Sequence, residues 1–155
     1  MAGNLFLYPN VNNMTTLTLS NKTSELIIYV ASKLENKPNY DAALLGNSLF
    51  LVDYVSYNKT GNPISDLTYI KEKEGIVPKR FVQIEDYLRK EKRTDRDFQV
   101  FDSEEFKLID EVLKNISEKI SEISTQTKSL LGWVLAEYGE EIPFYTFHYT
   151  KNGVS

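Results

Sequence analysis

A single stretch limits what this chain can fold into more than any other. From Asp41 to about Lys59, Leu44, Leu45, Leu49, Phe50, Leu51, Val52, Tyr54 and Val55 fall on nearly every face of a helix. A helix that is apolar all round has to be covered on all sides, so this one is predicted to run through the centre of the fold. Thr60-Gly61 stops it, with Gly61 free to take the left-handed position after the last turn, and Asn62-Pro63 completes the break. A chain of 155 residues is long enough to wrap such a helix in one domain without disulfides or metal.

The remaining elements read as shorter and amphipathic. Thr16-Leu17-Thr18-Leu19 alternates with the two-residue period of a strand, inside a first segment, residues 1–20, that reads as an arm or first strand. Thr23 or Ser24 is the predicted cap of a helix that carries Ile27, Val30, Ala31 and Leu34 on one face and ends by Pro38. Thr68-Tyr69-Ile70-Lys71 predicts a strand, Lys73-Glu74-Gly75 a turn, and Phe81, Ile84 and Leu88 a helix over 79–90. Phe98-Gln99-Val100-Phe101 alternates and predicts a strand paired with 67–71. Asp102-Ser103-Glu104-Glu105 is a helix start, a cap followed by acids at the positive end of the helix dipole. Phe106, Ile109, Leu113, Ile116, Ile120 and Ile123 then step by three and four, predicting one long helix on the domain's own core. A further helix is predicted over 127–138, with Leu131, Val134, Leu135 and Tyr138 inward, and an aromatic β-type tail over 142–149. The fold class is mainly α: a compact bundle of about five helices with a small antiparallel β element. The division is an arm or strand over 1–20, a helical domain over 21–150 and a tail over 151–155.

Composition removes most catalytic chemistry. Without Cys there is no thiol nucleophile, thiolate zinc site or iron–sulfur cluster. The one His, His148, excludes a two-His metal motif within the chain, and no Gly-x-Ser-x-Gly elbow accompanies it. Gly75-Ile76-Val77-Pro78-Lys79 lacks the spacing of a phosphate loop. No catalytic, cofactor-binding or metal-binding residue is therefore expected. Lys plus Arg is 18 against 22 Asp plus Glu, a net charge of −4, which argues against a nucleic-acid partner. The basic residues at 89–96 are diluted by Glu91, Asp95 and Asp97 and read as a solvated loop. No apolar run reaches the roughly 20 residues that span a bilayer. Leu5-Phe6-Leu7 is too short for a signal peptide, so the expected location is the cytoplasm.

Asp53 is the odd residue, a carboxylate inside Leu51-Val52-Asp53-Tyr54-Val55. Burying it costs several kcal/mol unless it is paired and hydrogen-bonded. It is expected to bond a backbone N–H, a Tyr hydroxyl or a Lys of the adjacent β segment, and no second acid or base stands at a spacing that makes a catalytic pair.

The stretch from Leu44 to Tyr69, with its leucine-rich helix, Leu49-Phe50-Leu51-Val52-Asp53, Lys59-Thr60-Gly61-Asn62-Pro63-Ile64-Ser65-Asp66 and Tyr69, resembles the Panacea domain, the SocA-like antitoxin domain found beside toxins and in prophages. So do Gly75-Ile76-Val77-Pro78, Ile123-Ser124-Thr125-Gln126-Thr127-Lys128, Gly132-Trp133 and Ile142-Pro143-Phe144. The resemblance runs from about residue 24 to 147. It implies structural roles for Asp53, Gly61, Gly75, Pro78, Trp133 and Pro143. Three positions depart from the family pattern: Lys128 stands where His is usual, Ile76 where the second residue of Gly-Pro-Val-Pro would be, and Asp66 where a Gly would be. A missing His favours a binding role over an enzymatic one.

The function that the resemblance implies is neutralisation of a cognate toxin by direct protein–protein contact, occluding its active or substrate-binding site. The toxin class is open, and translation-targeting, alarmone-synthetase-like toxins are one class the family implies. An alternative is a proteolytic adaptor that hands the toxin to a protease; a nucleic-acid-binding regulator is the weaker third reading. Candidate toxin contacts are Leu5, Phe6 and Tyr8 in the arm, Tyr57 and Asn58, Tyr69, and Tyr145, Phe147 and Tyr149, each equally suited to core packing.

Overall fold

A computed structural model describes residues 18–91 and 97–145. Leu5, Phe6, Tyr8, Phe147, His148 and Tyr149 lie outside these residues, as does most of the 89–96 basic cluster. The elements in order are α1 (Asn21–Leu34), α2 (Ala42–Thr60), β1 (Tyr69–Glu72), β2 (Gly75–Pro78), α3 (Phe81–Lys90), α4 (Ser103–Glu118), a 3-10 turn (Ile120–Glu122), α5 (Ile123–Lys128) and α6 (Leu131–Leu135). The fold is mainly helical with one two-stranded antiparallel sheet.

The apolar helix is central. α2 packs against α1, α4, α5 and β2, and Leu49, Phe50 and Val52 are fully buried. Asp41 caps it by accepting from Leu44 N at 2.8 Å, and Gly61 ends it at φ 86°. α1 is apolar on more than one face: Leu26, Ile27, Ile28, Val30, Ala31 and Leu34 are all fully buried. Its cap is Ser20, which accepts from Thr23 N, and not Thr23 or Ser24. Thr23 is instead turned inward to the loop after α2: the Asp66 N–H donates to its hydroxyl, which in turn donates to the Asp66 carboxylate. Asp66, a departure from the family pattern, thus ties α1 to that loop.

α4 begins at the expected cap, Asp102, and the cap is reciprocal: the Glu105 N–H donates to Asp102 and the Asp102 N–H donates to Glu105. It joins α1 through an aromatic box. Tyr29 meets Phe98 at 4.9 Å and Phe106 at 5.7 Å edge-on, and its hydroxyl donates to Asp110 at 2.6 Å.

Four further expectations are corrected. Residues 98–101 form a turn, with Phe98 at φ 54°, because their rings are drawn into the box around Tyr29 and their backbone does not pair. The partner of β1 is β2, with Tyr69 opposite Pro78 and Lys71 opposite Ile76. Thr18 and Leu19 form no strand, and Thr16 and Leu17 lie outside the described residues. The long helix over 106–123 stops at Glu118: Lys119 leaves helical geometry at φ −138° and the chain restarts through the 3-10 turn. Ile120 and Ile123 still pack on the core, so the apolar period outlives the helix axis. Of the helix expected over 127–138, only the last two residues of α5 and the five of α6 are helical, with Leu130 and Ala136 extended on either side of α6. Val134, Leu135 and Tyr138 consequently point to solvent.

Gly75 opens β2 at φ 136°, and a Cβ there would lie 2.1 Å from Asn47 Oδ1 and 2.6 Å from Thr127 Oγ1. At Gly61 a Cβ would meet nothing within 4 Å. Gly75→Ala should therefore cost about 3 kcal/mol or more and Gly61→Ala about 1 kcal/mol, the left-handed penalty alone. Urea denaturation of the two variants checks this, and equal losses would contradict the packing at Gly75.

Candidate functional site

The β hairpin is fastened by polar groups from α2, α5 and α6. Asp53 is fully buried on α2, and its Oδ1 accepts from the N–H groups of Ile64 and Ser65 at 2.8 and 2.9 Å. Its Oδ2 accepts from the Ser65 and Tyr69 hydroxyls at 2.5 and 2.8 Å. Burial pushes its carboxyl above the ordinary carboxylate range, and the four donors pull it back. Of the three alternatives expected for Asp53, a backbone N–H and a Tyr hydroxyl are present, while Lys71 of the adjacent strand donates to Ala136 O instead.

Further toward the start of α2, Asn47 uses both ends of its amide. Nδ2 donates to the Ala43 and Glu74 carbonyls, while Oδ1 accepts from Ile76 N at 3.2 Å and the Thr127 hydroxyl at 2.6 Å. A proline at position 76 would have no N–H to give, so this departure adds a hydrogen bond. Ser124 on α5 donates to Glu74 O at 2.6 Å. Trp133 on α6 directs its indole N–H between the Glu72 and Gly75 carbonyls, each at 3.0 Å.

The outer edge of β1 is taken by the segment after α6. Gly139 N donates to Lys71 O, Lys71 N to Glu140 O and Ile142 N to Tyr69 O, at 2.8 to 3.1 Å. Lys71 is 8% exposed, and its ammonium donates to Ala136 O at 2.9 Å. It lies 4.0 Å from the Trp133 ring centre and 4.9 Å from that of Tyr138. Two aromatic faces and a carbonyl surround its charge.

The other residues singled out in the sequence separate. Tyr69 is corrected: it is 2% exposed, with its hydroxyl on Asp53 and its ring on Phe50, so it is core and offers a partner nothing. Tyr57 is half-buried and stacks on Phe144 at 5.4 Å; Asn58 and Tyr145 are exposed. Gly75 and Trp133 hold the hairpin turn as described, Pro78 is buried opposite Tyr69, and Pro143 is exposed beside the bridge of Glu141 to Ile70. Lys128 reaches to 6.0 Å from the Trp133 ring centre.

Among the described residues no group of His, Cys, Asp or Glu is arranged to hold a metal ion, and no helix is long and apolar enough to cross a membrane. A groove of about 650 Å³ runs between the start of α1, the end of α2 and the start of α4. It carries both signs of charge, with Lys22 paired to Glu105 at its wall. The exposed large apolar side chains among the described residues are Val82, Val134, Leu135, Tyr138 and Tyr145, three of them in or just after α6. The helical pattern over 127–138 turns those three inward. The signal against it is Gly132-Trp133: successive helical residues differ by about 100°, so an inward indole at 133 sends 134 and 135 outward.

The family described as antitoxin SocA-like, Panacea domain, matches residues 48–144, more than half of the chain. The protein belongs to this family of SocA-like antitoxin domains. The match spans Asp53 and its partners, the hairpin and α6; α1 and Asn47 precede it, although α1 packs on α2 and α4. No curated protein and no solved structure matches the chain.

Burial raises the Tyr69 hydroxyl well above its usual value of 10.0, and the neighbouring Asp53 charge adds to this. Burial and Asp110 raise Tyr29 likewise. The folded state thus holds protons that unfolded tyrosines release near pH 10, so their contribution to stability is full below that pH and is lost as pH rises beyond it. Ultraviolet titration of the ten tyrosines should show at least two that ionise only on unfolding. Reversible titration of all ten near pH 10 would contradict both sites.

Proposed function

We propose that this protein neutralises a cognate toxin by direct contact, covering the toxin's active or substrate-binding site. The supporting observation is the contrast between its buried and exposed groups. The buried polar side chains near the hairpin, Asp53, Asn47, Thr127 and Lys71, are satisfied within the fold, whereas Val134, Leu135 and Tyr138 are left to solvent inside the family-matched segment. Satisfied polar groups leave no reactive side chain among them, and neighbouring exposed large apolar side chains suit a surface that meets another protein. A net charge of −4 also favours encounter with a basic surface, such as the substrate site of an enzyme that handles nucleotides or RNA.

The test is co-expression with the product of the adjacent gene. The expected result is arrested growth from the neighbour alone and restored growth with this protein present. The purified pair should also show inhibition with no protease added, which separates occlusion from delivery to a protease. A harmless neighbour, or toxicity that persists, would refute the reading.

A further inference from the structure

We propose that the toxin docks on the surface made by α6 and residues 136–141, presenting an apolar segment flanked by Lys or Arg. This inference rests on the antitoxin reading and names its contact face. Three observations carry it.

The first is exposure. Val134 is 54%, Leu135 73% and Tyr138 61% exposed, within five residues of one another. Val82 and Tyr145, the other exposed large apolar side chains among the described residues, stand singly in the chain.

The second is rigidity. The Trp133 indole N–H fixes α6 to the hairpin turn, and the Lys71 ammonium fixes Ala136 O. Residues 139–140 are hydrogen-bonded to the backbone of Lys71, and Glu140 accepts from Glu137 N at 2.8 Å. A surface already held in place loses little conformational freedom on binding, so more of its contact energy appears as affinity. Lys71 is the positioning residue here: its backbone and its side chain both hold the loop that carries Tyr138.

The third is charge. Glu137 and Glu140 flank Tyr138, both exposed and neither in an ion pair among the described residues, while Glu141 is paired with Lys79 at 2.6 Å. Of the cations nearby, Lys71 is covered by the Trp133 and Tyr138 rings, and Lys128 stands off the indole at 6.0 Å. The charges that adjoin Tyr138 in the chain are therefore acidic, with Lys128 a single cation beside the indole. That fits a basic-flanked protein segment and opposes a nucleic-acid backbone.

The experiment uses the adjacent gene's product as probe, with growth rescue and the dissociation constant of the purified pair as readouts. Leu135→Glu and Glu137→Lys should each weaken binding tenfold or more and abolish or reduce rescue. Both should melt at the wild-type temperature, since neither side chain packs on the core among the described residues. Val82→Glu, an equally drastic change on α3, should bind and rescue as wild type does. If Leu135→Glu lowers the melting temperature, Glu137→Lys decides, because the Glu137 side chain makes no hydrogen bond or ion pair among the described residues. Normal rescue by both variants, or equal loss with Val82→Glu, overturns this docking face and leaves the antitoxin reading standing. Failure of the wild-type protein to rescue overturns that reading, and this face with it.

Discussion

Four donors converge on the carboxylate of Asp53, a residue with no exposed surface on a helix that is apolar on nearly every face. Leaving that carboxylate unpaired would cost several kcal/mol, so the chain after α2 is obliged to return to it. Its return sets the path of everything downstream. The N–H groups of Ile64 and Ser65 bend the loop back over α2, and the Tyr69 hydroxyl fixes where β1 begins. From that register follow the β1–β2 pairing, the approach of Ile76 to Asn47 and the close seat of Gly75 against Thr127.

The hairpin then acts as the hub for the C-terminal third. α5 reaches it through Ser124 and Thr127, α6 through Trp133, and the segment after α6 through the edge of β1. These attachments are polar and directional, unlike the apolar packing that joins α1 and α4 to α2. Apolar packing tolerates rearrangement, whereas a buried hydrogen bond that is broken exposes an unsatisfied group to a low-dielectric interior. α6 is thereby held in one orientation that keeps the indole inside and Val134 and Leu135 outside. The chain's membership of the SocA-like antitoxin family rests on the segment that carries these attachments, residues 48–144.

Much of this is legible in the sequence where one residue type answers to one physical demand. The apolar stretch at 44–55 places α2, Asp41 and Gly61 bound it, and Asp102 with Glu105 marks the start of α4. The anomaly of Asp53 names its own partners in part. The resemblance at 44–78 and in the C-terminal block leads to the family. What stays hidden are choices between equally good local patterns. Residues 98–101 alternate like a strand, but their rings are drawn to Tyr29. The three-and-four spacing through Ile123 records which residues face the core and is silent on the break at Lys119. The roles of Asn47, Thr127 and Lys71 depend on contacts 27 to 80 residues apart in sequence, or on rings brought in from α6 and beyond, and no local pattern announces them. Tyr69 reads as a contact residue for the same reason: an aromatic in a strand looks alike whether it faces solvent or a buried carboxylate.

The dependence of the fold on side-chain acceptors at Asp53 and Asn47 is open to direct measurement. The amides of Ile64, Ser65 and Ile76 have these side chains as acceptors, outside any helix ladder. Native-state hydrogen exchange should find all three as slow as the amides of Leu49 to Asp53 in α2, opening only with global unfolding. Exchange at these three positions orders of magnitude faster than in α2 would show that the hairpin can leave the helix on its own, and that the buried nodes do not govern the fold.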